Sequence, residues 1–69
     1  MHGGLAEVID ELPRPWREVL IDRDVLDRDA TEIGERRGLT PAQQRAMLNR
    51  ARARVRERLA QRFARGRGG

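Results

Sequence analysis

Residues 43–50 carry several side chains that can form paired hydrogen bonds with a flat, polar partner. The guanidinium of arginine fits the O6 and N7 atoms of guanine, and the amides of glutamine and asparagine fit N6 and N7 of adenine. A small side chain among them lets a helix approach a base edge or a thymine methyl group. Four residues in the first turns of one predicted helix are therefore expected to contact bases: Gln43, Arg45, Ala46 and Asn49.

Arginines on both sides of this stretch predict contacts to a phosphate backbone. Such contacts set the affinity and the register of a bound duplex, but they do not read its sequence. Thr40 lies at the amino end of the predicted helix, where free backbone N–H groups favour an anion. The predicted phosphate contacts are Arg36, Arg37, Thr40, Arg50, Arg52 and Arg56.

The composition argues against several other classes of function. The chain has no cysteine and no serine, its one histidine is His2, and no paired carboxylates mark a pocket. We therefore expect no enzyme, no metal or other cofactor and no small-molecule substrate. Nothing in the sequence resembles a signal peptide, and no apolar run approaches the roughly 18 residues that span a bilayer. A cytoplasmic, nucleoid-associated protein without a membrane partner is expected.

Charge divides the chain into two halves. Residues 1–35 hold four arginines and ten of the eleven acidic residues, a net charge of −6, whereas residues 36–69 hold eleven arginines and only Glu57, a net charge of +10. The second half therefore attracts polyanions. Two simpler explanations stay open: the basic helix is only a solvated face, or the two halves pair with each other and weaken the field.

The elements that position these side chains can be predicted from local signals. Gly38 makes a turn, Thr40 suits the N-cap, Pro41 suits the first helical position, and Gln43 completes a capping box with Thr40. The helix that follows is expected to run from Pro41 to about Ala64. Its apolar stripe, expected to lie in the core, is Leu48, Ala51, Val55, Leu59 and Phe63.

Three shorter helices are predicted before this turn, over 5–12, from Pro15 to about Leu26, and over 30–37. Asp29 is expected to cap the third, with Glu32 at its third position, and residues 22–24 are expected to face water. The sequence predicts an all-α fold, a small helical bundle of three to four helices containing a helix-turn-helix with a long C-terminal recognition helix. Residues 1–12 form a short N-terminal helix or a non-native lead, 13–64 the domain, and 65–69 a flexible Arg/Gly tail.

Five pieces of this sequence together resemble region 4 of bacterial sigma factors of the extracytoplasmic-function group. They are Leu-Pro-Arg-Pro-Trp-Arg-Glu-Val-Leu at 12–20, Arg-Asp-Val at 23–25, Glu-Ile-Gly-Glu at 32–35, Gly-Leu-Thr at 38–40 and Arg-Ala-Arg-Ala-Arg at 50–54. The resemblance covers about residues 12 to 60. It implies a four-helix domain that reads the −35 promoter element in duplex DNA. It also implies docking on the flap of the RNA polymerase β subunit, and often capture by an anti-sigma factor.

The chain departs from the family pattern at three points. Gln-Gln-Arg-Ala-Met at 43–47 replaces the family's Thr-Val-Lys-Ser-Arg, which places Gln44 where a buried valine is usual, and Arg37 stands where a leucine is usual. Because burying an unpaired amide or guanidinium costs a few kcal/mol, either both reach water or the helices pack differently at the turn. The family's promoter-melting region 2 is missing, so we expect no initiation by this chain alone.

Two other functions are compatible with the sequence. The domain could act mainly as a protein-interaction module, the target of an anti-sigma factor or another regulator, with little DNA reading of its own. Alternatively, the Arg-rich helix could bind nucleic acid without sequence preference, with steep salt dependence. Whether the domain alone binds duplex DNA, and whether it prefers one sequence, discriminates among the three.

Overall fold

Residues 4–68 form four α-helices and one π-helical segment. The computed structural model describes the backbone of residues 4–68 and the side chains of residues 4–64. In order, the elements are α1 (Gly4–Asp10), α2 (Arg14–Leu20), the π-helical segment (Ile21–Val25), α3 (Ala30–Arg37) and α4 (Pro41–Gly68). No strand occurs within residues 4–68, so the prediction of a small all-α bundle is confirmed.

Local capping interactions fix the start of α3 and the turn between α3 and α4. Asp29 Oδ1 accepts a hydrogen bond from Glu32 N at 2.8 Å, which caps α3 as predicted. Gly38 ends α3 in the left-handed region (φ 69°), where a side chain would be strained. The predicted capping box of α4 is also confirmed, since Thr40 N donates to Gln43 Oε1 at 2.9 Å and Gln43 N donates to Thr40 Oγ1 at 3.1 Å.

The core lies between α2 and the first half of α4. Its cluster of buried side chains is Leu12, Val19, Leu20, Leu48 and Ala51. Helix α1 lies antiparallel to the second half of α4, because Glu7 pairs with Arg62 and Glu11 pairs with Arg58. The bundle is elongated, with extents of 46 × 21 × 16 Å, since α4 has 28 residues and is therefore about 42 Å long.

The apolar stripe of α4 leaves the core before its end. Leu48 and Ala51 are buried and Val55 and Leu59 are half-buried, but Phe63 is 70% exposed. The prediction that Phe63 lies in the core was wrong, because each step of four residues turns the stripe about 40° further around α4, so that Phe63 lies about 100° around the helix from Arg62, which pairs with Glu7 of α1. The helix also continues to Gly68, beyond the predicted end at 64 and through most of the predicted tail at 65–69. Residues 1–3 of the predicted lead and residue 69 lie outside the described residues.

Asp22 is buried, although it was expected to face water with its neighbours. It is 2% exposed, and Arg37 Nε donates to its Oδ2 at 2.6 Å. Arg28 Nε lies 3.5 Å from Asp22 Oδ1. A carboxylate can be buried at moderate cost only when such partners compensate its charge. Asp22 therefore joins the π-helical segment to α3.

Gln44 occupies the interior of the turn between α3 and α4. It is 3% exposed, and its Nε2 donates to the carbonyl oxygens of Ala30 at 3.0 Å and Leu39 at 3.1 Å. Gly34 leaves room for this arrangement, because a Cβ there would lie 3.0 Å from the Leu39 oxygen. The amide therefore replaces an apolar side chain without reaching water, and the turn packs around its hydrogen bonds.

Candidate nucleic-acid interface

A strip of small, exposed side chains runs along the outer side of α4. It consists of Ala42, Ala46, Asn49 and Ala53, all exposed, at intervals of four, three and four residues. This spacing keeps them on one face of a helix. The opposite face carries the buried residues Gln44, Leu48 and Ala51. The outer strip offers little steric resistance to a flat partner.

Arginines border the outer strip on both sides. By the 3.6-residue period, Arg45 and Arg56 lie along one edge of the strip, and Arg50 and Arg54 lie along the other. We call these the 45/56 edge and the 50/54 edge. A neutral strip between two cationic edges has the charge pattern of a helix that lies in a groove between two phosphate backbones.

The arginines of the basic half fall into two groups. Four pair with carboxylates of the acidic half: Arg37 with Glu18 and Asp22, Arg52 with Asp24, Arg58 with Glu11, and Arg62 with Glu7 and Glu11. Within the described side chains, five others have no carboxylate partner, namely Arg36, Arg45, Arg50, Arg54 and Arg56. The two halves thus pair with each other only in part, and cations remain along both edges of the outer strip.

Two of the predicted phosphate contacts are directed at carboxylates. Arg37 donates to Asp22 and Glu18, and the hydrogen bond to Asp22 raises the pKa of the Arg37 guanidinium. Arg52 donates to both carboxylate oxygens of Asp24, at 3.0 and 2.6 Å, and this bond raises the pKa of Arg52. Both side chains would have to leave these partners to reach a phosphate. Their contact with phosphate stays a prediction.

Three of the predicted base contacts lie together. Arg45, Ala46 and Asn49 are exposed neighbours on and beside the outer strip. Gln43 lies apart, toward the 50/54 edge, and its Oε1 is held by the capping box with Thr40. The Thr40 hydroxyl accepts the reciprocal bond. Of the predicted phosphate contacts, the exposed Arg36 belongs to α3, and Arg50 and Arg56 lie one on each edge of the outer strip.

Sequence reasoning did not assign Trp16 and Arg54 to the interface. The guanidinium carbon of Arg54 lies 5.6 Å from the centre of the Trp16 ring, a cation–π distance. The two residues are far apart in the chain and belong to different helices, so no local spacing signals the pair. Both line a hollow with Arg50, Ala53 and Glu57.

A second surface feature adjoins the 45/56 edge, with which it shares Arg56. An apolar groove between α1, the π-helical segment and α4 is lined by Leu5, Ile9, Leu20, Val25, Val55 and Leu59, with Arg52, Asp24 and Arg56 at its rim. Leu5 is 54% exposed and Val25 is 61% exposed. Such an exposed apolar surface is typical of a protein contact.

Neither a metal site nor a membrane span occurs in the described part of the chain. No group of three or more potential metal ligands is found there, and none of its helices combines the length and apolar character of a transmembrane segment. Comparisons with protein-family models, with curated proteins and with solved structures gave no significant match.

Proposed function

We propose that this chain is the DNA-binding domain of a sigma-like transcription initiation factor. In this proposal α4 enters the major groove of duplex DNA and reads the promoter −35 element, and the domain docks on the β-subunit flap of RNA polymerase. The observation that supports it best is the neutral outer strip of α4 between the 45/56 and 50/54 edges. The sequence resemblance supplies the promoter element and the polymerase.

The dimensions of the outer strip suit a major groove. The groove is about 12 Å wide and admits one α-helix. Small side chains at Ala46 and Ala53 let the helix backbone approach the base edges, whereas long side chains there would hold it away. From Ala42 to Ala53 the strip spans about 17 Å, which corresponds to roughly five base pairs. This is the length of a short recognition element.

Each side chain then has a defined role. Arg45 donates two hydrogen bonds to guanine O6 and N7, Asn49 pairs with adenine N6 and N7, and Ala46 contacts a thymine methyl group. Gln43 can also contact a base, but only if its Nε2 donates to the base while its Oε1 accepts the capping hydrogen bond from Thr40 N. Phosphates are bound by three of the other unpaired arginines and by the helix terminus, namely Arg36, Arg50, Arg56 and Thr40.

Selection of bound duplexes from a random 20-base-pair library tests this function. The domain alone should enrich a short motif at near-physiological salt. Arg45→Ala should weaken binding to that motif by about 1–3 kcal/mol and relax base preference at one position. An equal loss on every duplex would make Arg45 a phosphate contact. Binding that is lost as salt rises, with no enriched motif, would overturn the reading of sequence.

The apolar groove favours a second candidate function, a protein-interaction module. RNA polymerase or an anti-sigma factor would then be the main partner, and its apolar side chains would fill the groove. Val25→Glu places a charge in the groove and should abolish such binding, whereas Leu26→Glu, at a residue that is 52% exposed and lies outside the groove lining, should not. If both variants bind purified polymerase as the wild type does, the groove is not the docking surface.

A further inference from the structure

Among the unpaired arginines described on α4, Arg54 is the one whose guanidinium contacts an aromatic ring. Its guanidinium lies over the indole of Trp16, with 5.6 Å between the guanidinium carbon and the ring centre. Arg54 is half-buried, whereas Arg45, Arg50 and Arg56 are exposed. Trp16 is itself held in place, because it packs against the core cluster. The ring therefore restricts the conformations of Arg54 before any ligand binds.

A cation–π contact of this kind leaves the guanidinium free to bind an anion, because the ring interacts with the charge of the group and does not use up its N–H donors. Two oxygens of a phosphate can accept two such N–H groups in a bidentate pair. An arginine that is already ordered loses less side-chain entropy on binding than one that must be immobilised. Arg54 is thus the best prepared anion-binding side chain among the unpaired arginines of α4.

We propose that the hollow formed by Trp16, Arg50 and Arg54 binds a phosphodiester of the nucleic-acid backbone. This inference rests on the proposed binding of duplex DNA and assigns the phosphate contact on the 50/54 edge. Arg50 lies one turn before Arg54 on α4 and lines the same hollow. Trp16 makes no contact with a base in this arrangement, and acts as a positioning residue for Arg54.

Glu57 lies at the same hollow and opposes the binding of an anion there. It is the one acidic residue of the basic half. With Arg50 and Arg54 it leaves the hollow a net charge of +1, so a phosphate is still attracted. One turn beyond Ala53, Glu57 also discourages the backbone from following α4 toward its carboxyl end.

Titration of a 20-base-pair duplex at several salt concentrations tests the proposal with three variants. Arg54→Gln should weaken binding about five-fold and reduce the slope of log affinity against log salt by about 1. Trp16→Leu should weaken binding about three-fold and leave the slope unchanged, because no charge is removed. In the double variant, Trp16→Leu should add no further loss. Additive losses, or an unchanged affinity in Trp16→Leu, would overturn the positioning role.

Two controls separate this effect from loss of folding and from net charge. Val55→Ala also removes packing against the core cluster, but on the side of the apolar groove, so it should leave the affinity unchanged. Glu57→Gln should strengthen binding about three-fold more than Asp10→Asn, which removes the same charge on α1. Equal gains from these two variants would mean that no phosphate lies in the hollow.

The outcomes also distinguish this inference from the proposed function. If the wild type enriches a motif and Arg54→Gln binds it normally, phosphate binding in the hollow is refuted and sequence-specific binding is supported. If no motif is enriched but the Arg54 and Trp16 variants still lose affinity as described, sequence-specific binding is refuted and phosphate binding in the hollow is supported. Absence of any duplex binding by the wild type would overturn both.

Discussion

Arg37 Nε and Asp22 Oδ2 meet at 2.6 Å inside the bundle and join α3 to the π-helical segment. Asp22 is 2% exposed, and Arg37 also donates to Glu18 on α2 at 3.0 Å. One guanidinium thus connects α2, the π-helical segment and α3, which follow one another in the chain. Arg37 makes this connection through charge rather than through apolar packing.

Asp22→Asn should destabilise the protein by about 3 kcal/mol, because it leaves the Arg37 charge without its closest counter-charge. Urea unfolding followed by circular dichroism measures this change. Asp10→Asn, an exposed carboxylate on α1, is the matched control and should change the free energy of unfolding by less than about 0.5 kcal/mol. A similar, small effect of both variants would show that the pair contributes little.

Protonation of Asp22 should lower the stability of the protein at acid pH. The hydrogen bond from Arg37 lowers the pKa of Asp22, the charges of Arg37 and Arg28 add to the effect, and burial opposes it. The stabilisation is complete above the unfolded-state pKa of about 3.9 and is lost as the pH falls through the lower folded-state pKa. Unfolding free energies measured from pH 6 downward should decline more steeply below about pH 4 in the wild type than in Asp22→Asn. Parallel curves would contradict this prediction.

Asp27→Gly should stabilise the protein by about 0.5–1 kcal/mol. Asp27 has φ 59°, and it is the one residue other than glycine with positive φ among the described residues. Relief of this strain outweighs the entropy that glycine adds to the unfolded chain. Gly38→Ala, with φ 69° at the end of α3, is the reciprocal test and should destabilise by about 1 kcal/mol. Thermal unfolding of both variants measures the two effects, and a lower melting temperature for Asp27→Gly would refute the argument.

Gln44→Met should destabilise the protein by about 1–3 kcal/mol, although methionine has a similar shape. The variant removes the donor to the carbonyl oxygens of Ala30 and Leu39 and leaves the Leu39 oxygen without this partner. Gln61→Met, an exposed position on α4, controls for the change of residue type. Chemical unfolding of the two variants decides the matter, since equal stabilities would mean that water replaces the lost bonds.

Local features of this fold could be predicted from the sequence, and long-range ones could not. Both capping interactions, Asp29 with Glu32 and Thr40 with Gln43, join residues three apart and depend on the local backbone alone. The pair of Asp22 and Arg37 depends on how two helices pack. Charged residues of a predicted helix normally face water, so composition gave no sign that Asp22 is buried.

In the candidate site too, local features could be predicted from the sequence and long-range ones could not. Helical spacing placed Arg45, Ala46 and Asn49 together on α4, because the period of a helix is known in advance. It could not tell which arginines have carboxylate partners, since Arg52 and Asp24 come from opposite halves of the chain. The exposure of Phe63 likewise depends on which side of α4 the neighbouring helices cover, which the stripe alone does not reveal.

The uneven pairing of arginines gives the molecule an electric dipole. Carboxylates of α1, α2 and the π-helical segment neutralise one side of the basic half, and the unpaired cations of α4 border its outer strip. In the field of a polyanion, such a dipole turns the molecule before contact, so that productive collisions outnumber those expected from random orientation. The rate of association, more than the lifetime of a complex, should therefore depend on ionic strength.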